Sequence, residues 1–196
     1  MATKAKKLQR RKRRASERRR RHADAAHLPS EIQITAEAGE CGFELLDAAA
    51  GDAAGDAPKL KTFKMLAYTG GRLFVKNFYL PVVVDLAGLK VPKQKRPILR
   101  NHDQNRIVGH STTIQASDRS ITLEGVISGT GADAQEVVEN AQNGFPWECS
   151  IGAQISKVAY VDEGEKVTVN GQSLTGPVYA ARQSRLAEGM FVAPGR

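Results

Sequence analysis

From about residue 60 onward, short apolar runs alternate with turn-forming residues. The runs are rich in β-branched and aromatic residues and are separated by Gly, Pro, Asn or Asp; in order they are KTFKMLAYTGG, LFVKNFYLPVVVDL, RPILRNHD, IVGHSTTIQAS and SITLEGVIS. Short strands at this spacing are typical of a sandwich or a barrel. Upstream, EIQITAEAG at residues 31–39 alternates well enough to form a first strand. The pattern predicts a mainly β domain.

One segment, GADAQEVVENAQNG, has helical periodicity instead. Its apolar residues recur at spacings that place them on one helix face, namely Ala134, Val137, Val138 and Ala141. Asp133 is positioned to cap the start of this helix, and Gly144 is positioned to end it. The sequence therefore predicts a helix between β segments, which makes the fold class α+β.

After this helix the chain returns to β periodicity. FPWECSIGAQISKVAYV predicts a long strand, and EKVTVNGQSLTG predicts a hairpin with Asn170-Gly171 as its turn. The chain closes on VYAARQSRLAEGMFVAPGR, which contains a final apolar strand.

Charge is distributed unevenly along the chain. There are 29 Lys and Arg against 21 Asp and Glu, a net charge of +8. Residues 1–22 contain twelve of the cations and one Glu, a net charge of +11, which leaves −3 for the rest. We interpret residues 1–29 as a basic arm that is disordered until bound, with polyanion contact expected through residues 4–21. Residues 30–196 would form one domain, with a flexible Gly, Ala and Asp loop near residues 47–59.

Composition excludes several classes of protein. Cys41 and Cys149 are too few and too widely spaced for a disulfide framework, and no C-x-x-C or Cys/His cluster has metal-ligand spacing. We therefore expect a reducing compartment, no metal and no cofactor. The basic N-terminus lacks a following apolar region, and the longest apolar stretch, LPVVVDLAGL, is far shorter than the roughly 20 residues of a membrane span. Neither secretion nor membrane insertion is predicted.

The stretch PWECSIGAQI places two nucleophilic residue types side by side. Successive strand residues face opposite sides of a sheet, so if Ile151 is buried, Cys149 is buried as well, while Ser150 and Gly152 face outward. A buried Cys usually behaves as a small hydrophobe. Gly152 would leave open space beside Ser150 for a substrate backbone. Ser150 is the candidate nucleophile, and it needs an adjacent base to remove its proton.

Two histidines compete for the role of base. His102 follows an apolar strand in PILRNHD, which would expose its imidazole at a sheet edge. His110 lies in VGHSTTIQAS, where alternate positions are polar, and solvent exposure accounts for it.

A third group must hold the imidazole in its reactive tautomer. All four histidines precede Ser150, so an orienting group downstream of Ser150 has to be a carboxylate. Solvation explains the acidic residues of one loop-like run, which are Asp162, Glu163 and Glu165. Glu188 lies inside the final apolar strand, where it either faces outward or carries a charge that is costly unless paired.

Four segments, taken in order, resemble the prohead maturation protease family of tailed bacteriophages, which is related to the herpesvirus assemblin protease. They are PILRNHDQNRIVGH, the helix GADAQEVVENAQNGFPWE, CSIGAQI with its Ser-Ile-Gly core, and the closing LAEGMFV. The likeness spans about residues 62–192, and EIQITA adds the first strand. The chain departs from the family pattern after Glu188, where Gly189 and Met190 replace the usual β-branched residue and Ser.

The resemblance implies an antiparallel β-barrel with flanking helices and the activity of a serine endopeptidase. His102 would be the general base, Ser150 the nucleophile and Glu188 the third member, with YAARQSR as a candidate source of oxyanion donors. The substrates would be the scaffold and the major capsid protein, cleaved inside the assembling prohead in the cytoplasm of the bacterial host. A homodimer would match assemblin.

Two other functions stay open at this point. A catalytically inactive capsid-assembly protein would keep the same fold. A nucleic-acid-binding protein would act through the Arg-rich arm, with the β domain as an oligomerising body; its affinity would fall steeply with salt.

Overall fold

A computed structural model describes residues 31–34, 43–46, 60–75 and 80–193. Within these ranges the chain forms twelve strands, one α-helix and one short 3-10 helix. The strands are β1 (Glu31–Ile34), β2 (Phe43–Leu46), β3 (Thr62–Tyr68), β4 (Val82–Val84), β5 (Leu89–Lys90), β6 (Pro97–Arg100), β7 (Asp103–Ala116), β8 (Ile121–Val126), β9 (Glu148–Val161), β10 (Lys166–Val169), β11 (Gln172–Thr175) and β12 (Val178–Val192). The α-helix α1 is Ala132–Gln142, and the 3-10 helix is Leu86–Gly88.

The predicted class, α+β and mainly β, is confirmed. Of the segment LFVKNFYLPVVVDL, only Val82–Val84 forms a regular strand within the described residues. The predicted basic arm at 1–29 and the loop near 47–59 lie outside the described residues.

Ten strands form one sheet. Its neighbours run in the order β1-β9-β12-β6-β7-β8-β3-β2, and β4 and β5 also pair with β12. The strands β10 and β11 form a separate hairpin. The described pairings run from β1 at one edge of the sheet to β2 at the other. A pairing between these two edge strands, which would close the sheet into a barrel, is not among them.

The prediction of a wholly antiparallel sheet is wrong at β12. This strand is antiparallel to β9 but parallel to β4, β5 and β6. The β10–β11 hairpin connects β9 to β12, and β12 runs antiparallel to β9. The shorter strands β4, β5 and β6, on the other side of β12, run in the same direction as β12. The last strand therefore lies in the interior of the sheet, next to both β9 and β6.

The main apolar core packs against one face of this sheet. Among its fully buried members are Phe63, Leu123, Ile151 and Phe191. Burying side chains of this size contributes about 1.5–3 kcal/mol each. The core includes Cys149 from β9, as alternation along this strand predicts.

The helix ends differ from the prediction at one position. Gly131 is the residue before α1 and provides no side-chain cap, while Asp133 lies in the first turn and binds Arg106. The prediction for Gly144 is confirmed, because this residue has φ +79° and its N–H donates to Ala141 O at 3.0 Å. None of the helices in the described ranges has the length and apolar character required to cross a bilayer.

The predicted Asn170-Gly171 turn is also confirmed. It joins β10 to β11, and its two residues have φ 54° and 74°, as a type I′ turn requires. The Asn170 side chain accepts from Leu86 N at 2.8 Å and donates to Val84 O at 2.8 Å, so the turn fastens the hairpin to the main sheet.

Candidate active site

Ser150 lies on the sheet face opposite the main core. Cys149 and Ile151, its neighbours on β9, both point into the core, and Met190 of β12 is the register partner of Ser150. Ser150 is nevertheless fully buried, and within the described part of the chain its Oγ has no hydrogen-bond partner. Ser150 faces away from the main core as predicted, but the expectation of open space beside it is wrong, because neighbouring side chains cover this face as well.

Gly152 provides room for Glu188. The two residues are register partners on β9 and β12. A Cβ built at Gly152 would lie 2.6 Å from Glu188 Cγ and 2.8 Å from Glu188 Oε1. The space that the sequence assigned to a substrate backbone is thus filled by the Glu188 side chain. The glycine of Ser-Ile-Gly is required because a larger residue would overlap the Glu188 side chain.

A bulge in β12 directs Glu188 to this face. Leu186 pairs with Ala153 and Glu188 pairs with Gly152, so Ala187 is an extra residue at the register shift. Simple alternation would place Leu186 and Glu188 on the same side of the sheet. The bulge separates them, so that Leu186 enters the core while Glu188 lies on the face of Ser150.

His102 lies in the tight turn between β6 and β7. Asn101 and His102 are the two turn residues, with φ 53° and 60°. Both values fall in the left-handed region, as the two central residues of a type I′ hairpin turn require, and Asn and His enter this region more readily than most other residues. Asn101 N–H donates to Phe191 O at 3.0 Å, which holds the turn against β12.

The sequence suggested that the imidazole of His102 is exposed at a sheet edge. The structure shows a largely buried imidazole instead. The strands beside it, β6 and β7, are interior strands, and only 11% of its side chain is exposed. Its Nδ1 lies 3.8 Å from Glu188 Oε1, and the Glu188 side chain is 12% exposed. This separation is within ion-pair range but longer than a hydrogen bond.

The order of strands explains which predicted residues meet. Ser150, Glu188 and His102 come from β9, β12 and the end of β6, which are consecutive neighbours in the sheet. Adjacent strands lie about 4.8 Å apart, so β9 and β6 are about 10 Å apart. Glu188 contacts both His102 and Gly152, while no hydrogen bond in the described residues joins Ser150 Oγ to the imidazole.

Helix α1 fixes the strands on both sides of the His102 turn. Arg100, two residues before His102, donates from Nη2 to Glu136 Oε1 at 2.6 Å, and its guanidinium carbon lies 5.2 Å from the centre of the Trp147 ring. Arg106 on β7 donates from Nε to Asp133 Oδ1 at 2.8 Å. These hydrogen bonds hold the pKa of Asp133 and the pKa of Glu136 below their ordinary values, Asp133 through Arg106 and Glu136 through Arg100. We refer to these four charged residues as the helix clamp.

Sequence reasoning overlooked one carboxylate near Ser150. Glu148 is two positions before Ser150 on β9, so it lies on the same face. Burial raises the pKa of Glu148 above its ordinary value. The i, i+2 spacing in ECS is the sequence signal that could have identified it.

The acidic run at the far end of β9 behaves as predicted. Glu163 and Glu165 are exposed and Asp162 is half-buried, in the loop after Val161. This loop begins at the opposite end of the strand from Ser150.

A second Ser/His pair occurs elsewhere in the sheet. His110 Nδ1 lies 2.8 Å from Ser128 Oγ, and both residues are half-buried. The prediction that solvent exposure accounts for His110 is therefore wrong. The ion pairs within the described residues include no carboxylate partner for His110, so this pair lacks the third group that Glu188 supplies to His102.

The predicted oxyanion segment YAARQSR is not a loop. It lies within β12, where its residues pair with β9 and partly with β4 and β5. No protein-family model, no curated protein and no solved structure matches this chain. The likeness to prohead proteases therefore stays a prediction carried by the four sequence segments.

Proposed function

We propose that this protein is a serine endopeptidase in which Ser150 is the nucleophile, His102 the general base and Glu188 the group that orients the imidazole. The observation that carries the proposal is the 3.8 Å approach of His102 Nδ1 to Glu188 Oε1 on the sheet face that also bears Ser150. A carboxylate at Nδ1 favours the tautomer in which Nε2 is unprotonated and can accept a proton.

These three roles define an acyl-transfer reaction. Nε2 of His102 takes the proton of Ser150 Oγ as this oxygen attacks the carbonyl carbon of a peptide bond, and Glu188 stabilises the imidazolium. The imidazolium then gives its proton to the leaving amine, which breaks the C–N bond. Water, deprotonated by the same imidazole, hydrolyses the acyl-enzyme. A general base of this kind contributes about 10²- to 10⁴-fold to the rate.

Substrate access requires movement of the residues above Ser150. Met190 is the cross-strand partner of Ser150 and packs with Leu99 and Val192 in a small buried cluster on this face. Methionine is flexible and adapts to different packing arrangements. Its displacement would open Ser150 and allow His102 to approach, as active-site hydrogen bonds often shorten only when substrate binds.

The finer features of the fold and the biology belong to the same proposal. They are closure of the sheet into a β-barrel of the prohead protease type, scaffold and major capsid protein as substrates, a homodimer, and action inside the prohead in the bacterial cytoplasm. Their support is the likeness of the four ordered sequence segments.

Complete burial of Ser150 favours a second candidate. A capsid-assembly protein of the same fold without catalytic activity would have no need to expose this hydroxyl.

Co-expression with a scaffold-capsid substrate tests the proposal. We expect wild type and the Cys149→Ala and Ser128→Ala variants to process the substrate, and Ser150→Ala to lose processing. Treatment of the purified chain with a fluorophosphonate, followed by mass spectrometry, should identify Ser150 as the modified residue. Loss of processing only in Ser128→Ala would assign the reaction to the His110 pair. Absence of both processing and modification would favour the inactive assembly protein.

A further inference from the structure

A cleft of about 1140 Å³ lies farther along the face that bears Ser150. Three segments line it: residues 87–92, 154–156 and 183–185. Side chains alternate along β9, so Gln154 shares a face with Ser150 and Gly152. At about 3.4 Å per residue, Gln154 lies roughly 14 Å from Ser150 along the strand. The cleft therefore begins about four residues of extended chain away from the proposed nucleophile.

Among the residues that the structure describes, the charged ones that line the cleft are both cations. They are Lys90 and Arg185, which are register partners on β5 and β12, and both are exposed. The ion pairs among the described residues involve neither of them. Like charges on neighbouring strands repel each other, so an anion bound between Lys90 and Arg185 would relieve an unfavourable interaction.

Ser184 also lines the cleft, but it alternates with Arg185 along β12 and pairs with Leu89 and Ile155, so its buried side chain lies on the opposite face. Gln154, the register partner of Arg185, adds an exposed amide at the same level of the sheet.

We propose that this cleft is a substrate subsite that binds the carboxylate of an Asp or Glu side chain about four residues from the scissile bond. The carboxylate would lie between Lys90 and Arg185. The inference rests on the proposed endopeptidase function, because the distance is measured from Ser150. The occupant is an extended acidic segment of the substrate, whose rise per residue matches that of β9.

The test compares cleavage sites in a peptide library prepared from a bacterial lysate. For the wild-type chain we expect Asp and Glu to be enriched three to five residues from the cleaved bond. The Lys90→Glu/Arg185→Glu variant should lose this preference or favour Lys and Arg, with kcat/KM for acidic peptides falling about tenfold or more. Lys90→Gln/Arg185→Gln should lose the preference without reversing it.

The Arg119→Glu/Lys166→Glu variant is the matched control, because it makes the same change in net charge at exposed residues outside the cleft. It should keep the wild-type preference. An unchanged preference after charge reversal at Lys90 and Arg185 would overturn the subsite.

Fluorophosphonate labelling of Ser150 distinguishes failure of the subsite from failure of the proposed endopeptidase function. Labelling should be equal in wild type and in both Lys90/Arg185 variants, because neither side chain contacts the reacting atoms. A labelled Ser150 with no acidic preference would overturn the subsite alone. A wild-type chain that neither labels at Ser150 nor cleaves peptides would overturn the endopeptidase and the subsite together.

Discussion

At the scale of single residues, Gly152 and Glu188 constrain each other within the proposed site. The Glu188 side chain occupies the volume that a Cβ at position 152 would need, with Cγ at 2.6 Å from that point. Any other residue at this position would push Glu188 away from His102. The glycine thus contributes to the site by leaving room, and its effect acts through the carboxylate.

We expect Gly152→Ala to lower kcat/KM by about 10²-fold or more, comparable to the loss of an oriented general base. In a Glu188→Ala background the same substitution should have almost no further effect, because the side chain it displaces is absent. Peptide hydrolysis by the four proteins of this double-mutant cycle is the measurement. Equal losses in both backgrounds would show that Gly152 acts independently of Glu188.

Met190 lies directly across from Ser150 on the neighbouring strand β12. We expect Met190→Ser to increase the rate at which a fluorophosphonate modifies Ser150, because a smaller side chain opposite the hydroxyl leaves it accessible. The loss of a large buried apolar side chain should also lower the free energy of unfolding by about 2–5 kcal/mol. Val192→Ala, in the same buried cluster but paired with Glu148, is the control and should leave the labelling rate near wild type. Equal acceleration in both variants would point to general loosening of the fold.

At the scale of elements, a bulge and a helix bring distant segments together. The extra residue at Ala187 turns Glu188 onto the face of Ser150. The helix clamp ties α1 to β6 and β7 on either side of the His102 turn. The bulge in β12 positions Glu188, and the helix clamp positions the His102 turn through α1. Together they set the separation of His102 and Glu188.

We expect the helix clamp to make the fold sensitive to acid. In the folded state the pKa values of Asp133 and Glu136 lie below their ordinary values of 3.8 and 4.5. The clamp therefore contributes its full stabilisation of the fold at pH values above these ordinary pKa values. This contribution is lost as the pH falls through the lowered pKa values of the folded state. Partial exposure of both groups keeps the effect modest. Urea midpoints at pH 7 and pH 3 should therefore differ less in Asp133→Asn/Glu136→Gln than in wild type.

The same variant should lower kcat for peptide hydrolysis at pH 7, since the His102 turn loses its attachment to α1. Breaking the exposed Lys64–Glu124 pair with Glu124→Gln is the control, and it should change neither kcat nor the acid response. Wild-type kcat in the clamp variant would show that α1 does not position His102.

At the scale of the whole molecule, charge separates the chain into two parts. Residues 1–22 carry a net charge of +11 and the remainder carries −3. A polyanion should therefore bind through the arm, whereas the proposed catalysis belongs to the sheet.

We expect deletion of residues 1–29 to abolish binding to a DNA duplex while leaving Ser150 labelling and thermal stability unchanged. DNA binding by the full chain should weaken steeply between 50 and 200 mM salt, because it depends on the release of counterions. Fluorescence anisotropy with labelled DNA gives both results. Salt-resistant binding by the truncated chain would instead assign nucleic-acid recognition to the β domain.

The sequence by itself determined the features that depend on neighbouring residues. Alternation predicted the strand that buries Cys149, helical spacing predicted α1, and the Asn170-Gly171 pair predicted its turn. These predictions succeed because local periodicity and turn chemistry act over a few residues.

Only the tertiary structure decided the contacts of the site. The pairing of Glu188 with Gly152, the approach of His102 to Glu188 and the covering of Ser150 depend on strand register and on an extra residue in β12. The alternation of apolar and polar residues does not reveal such a bulge. The residues of the site also come from segments far apart along the chain. Their meeting is decided by the packing of the whole sheet, which no local pattern specifies.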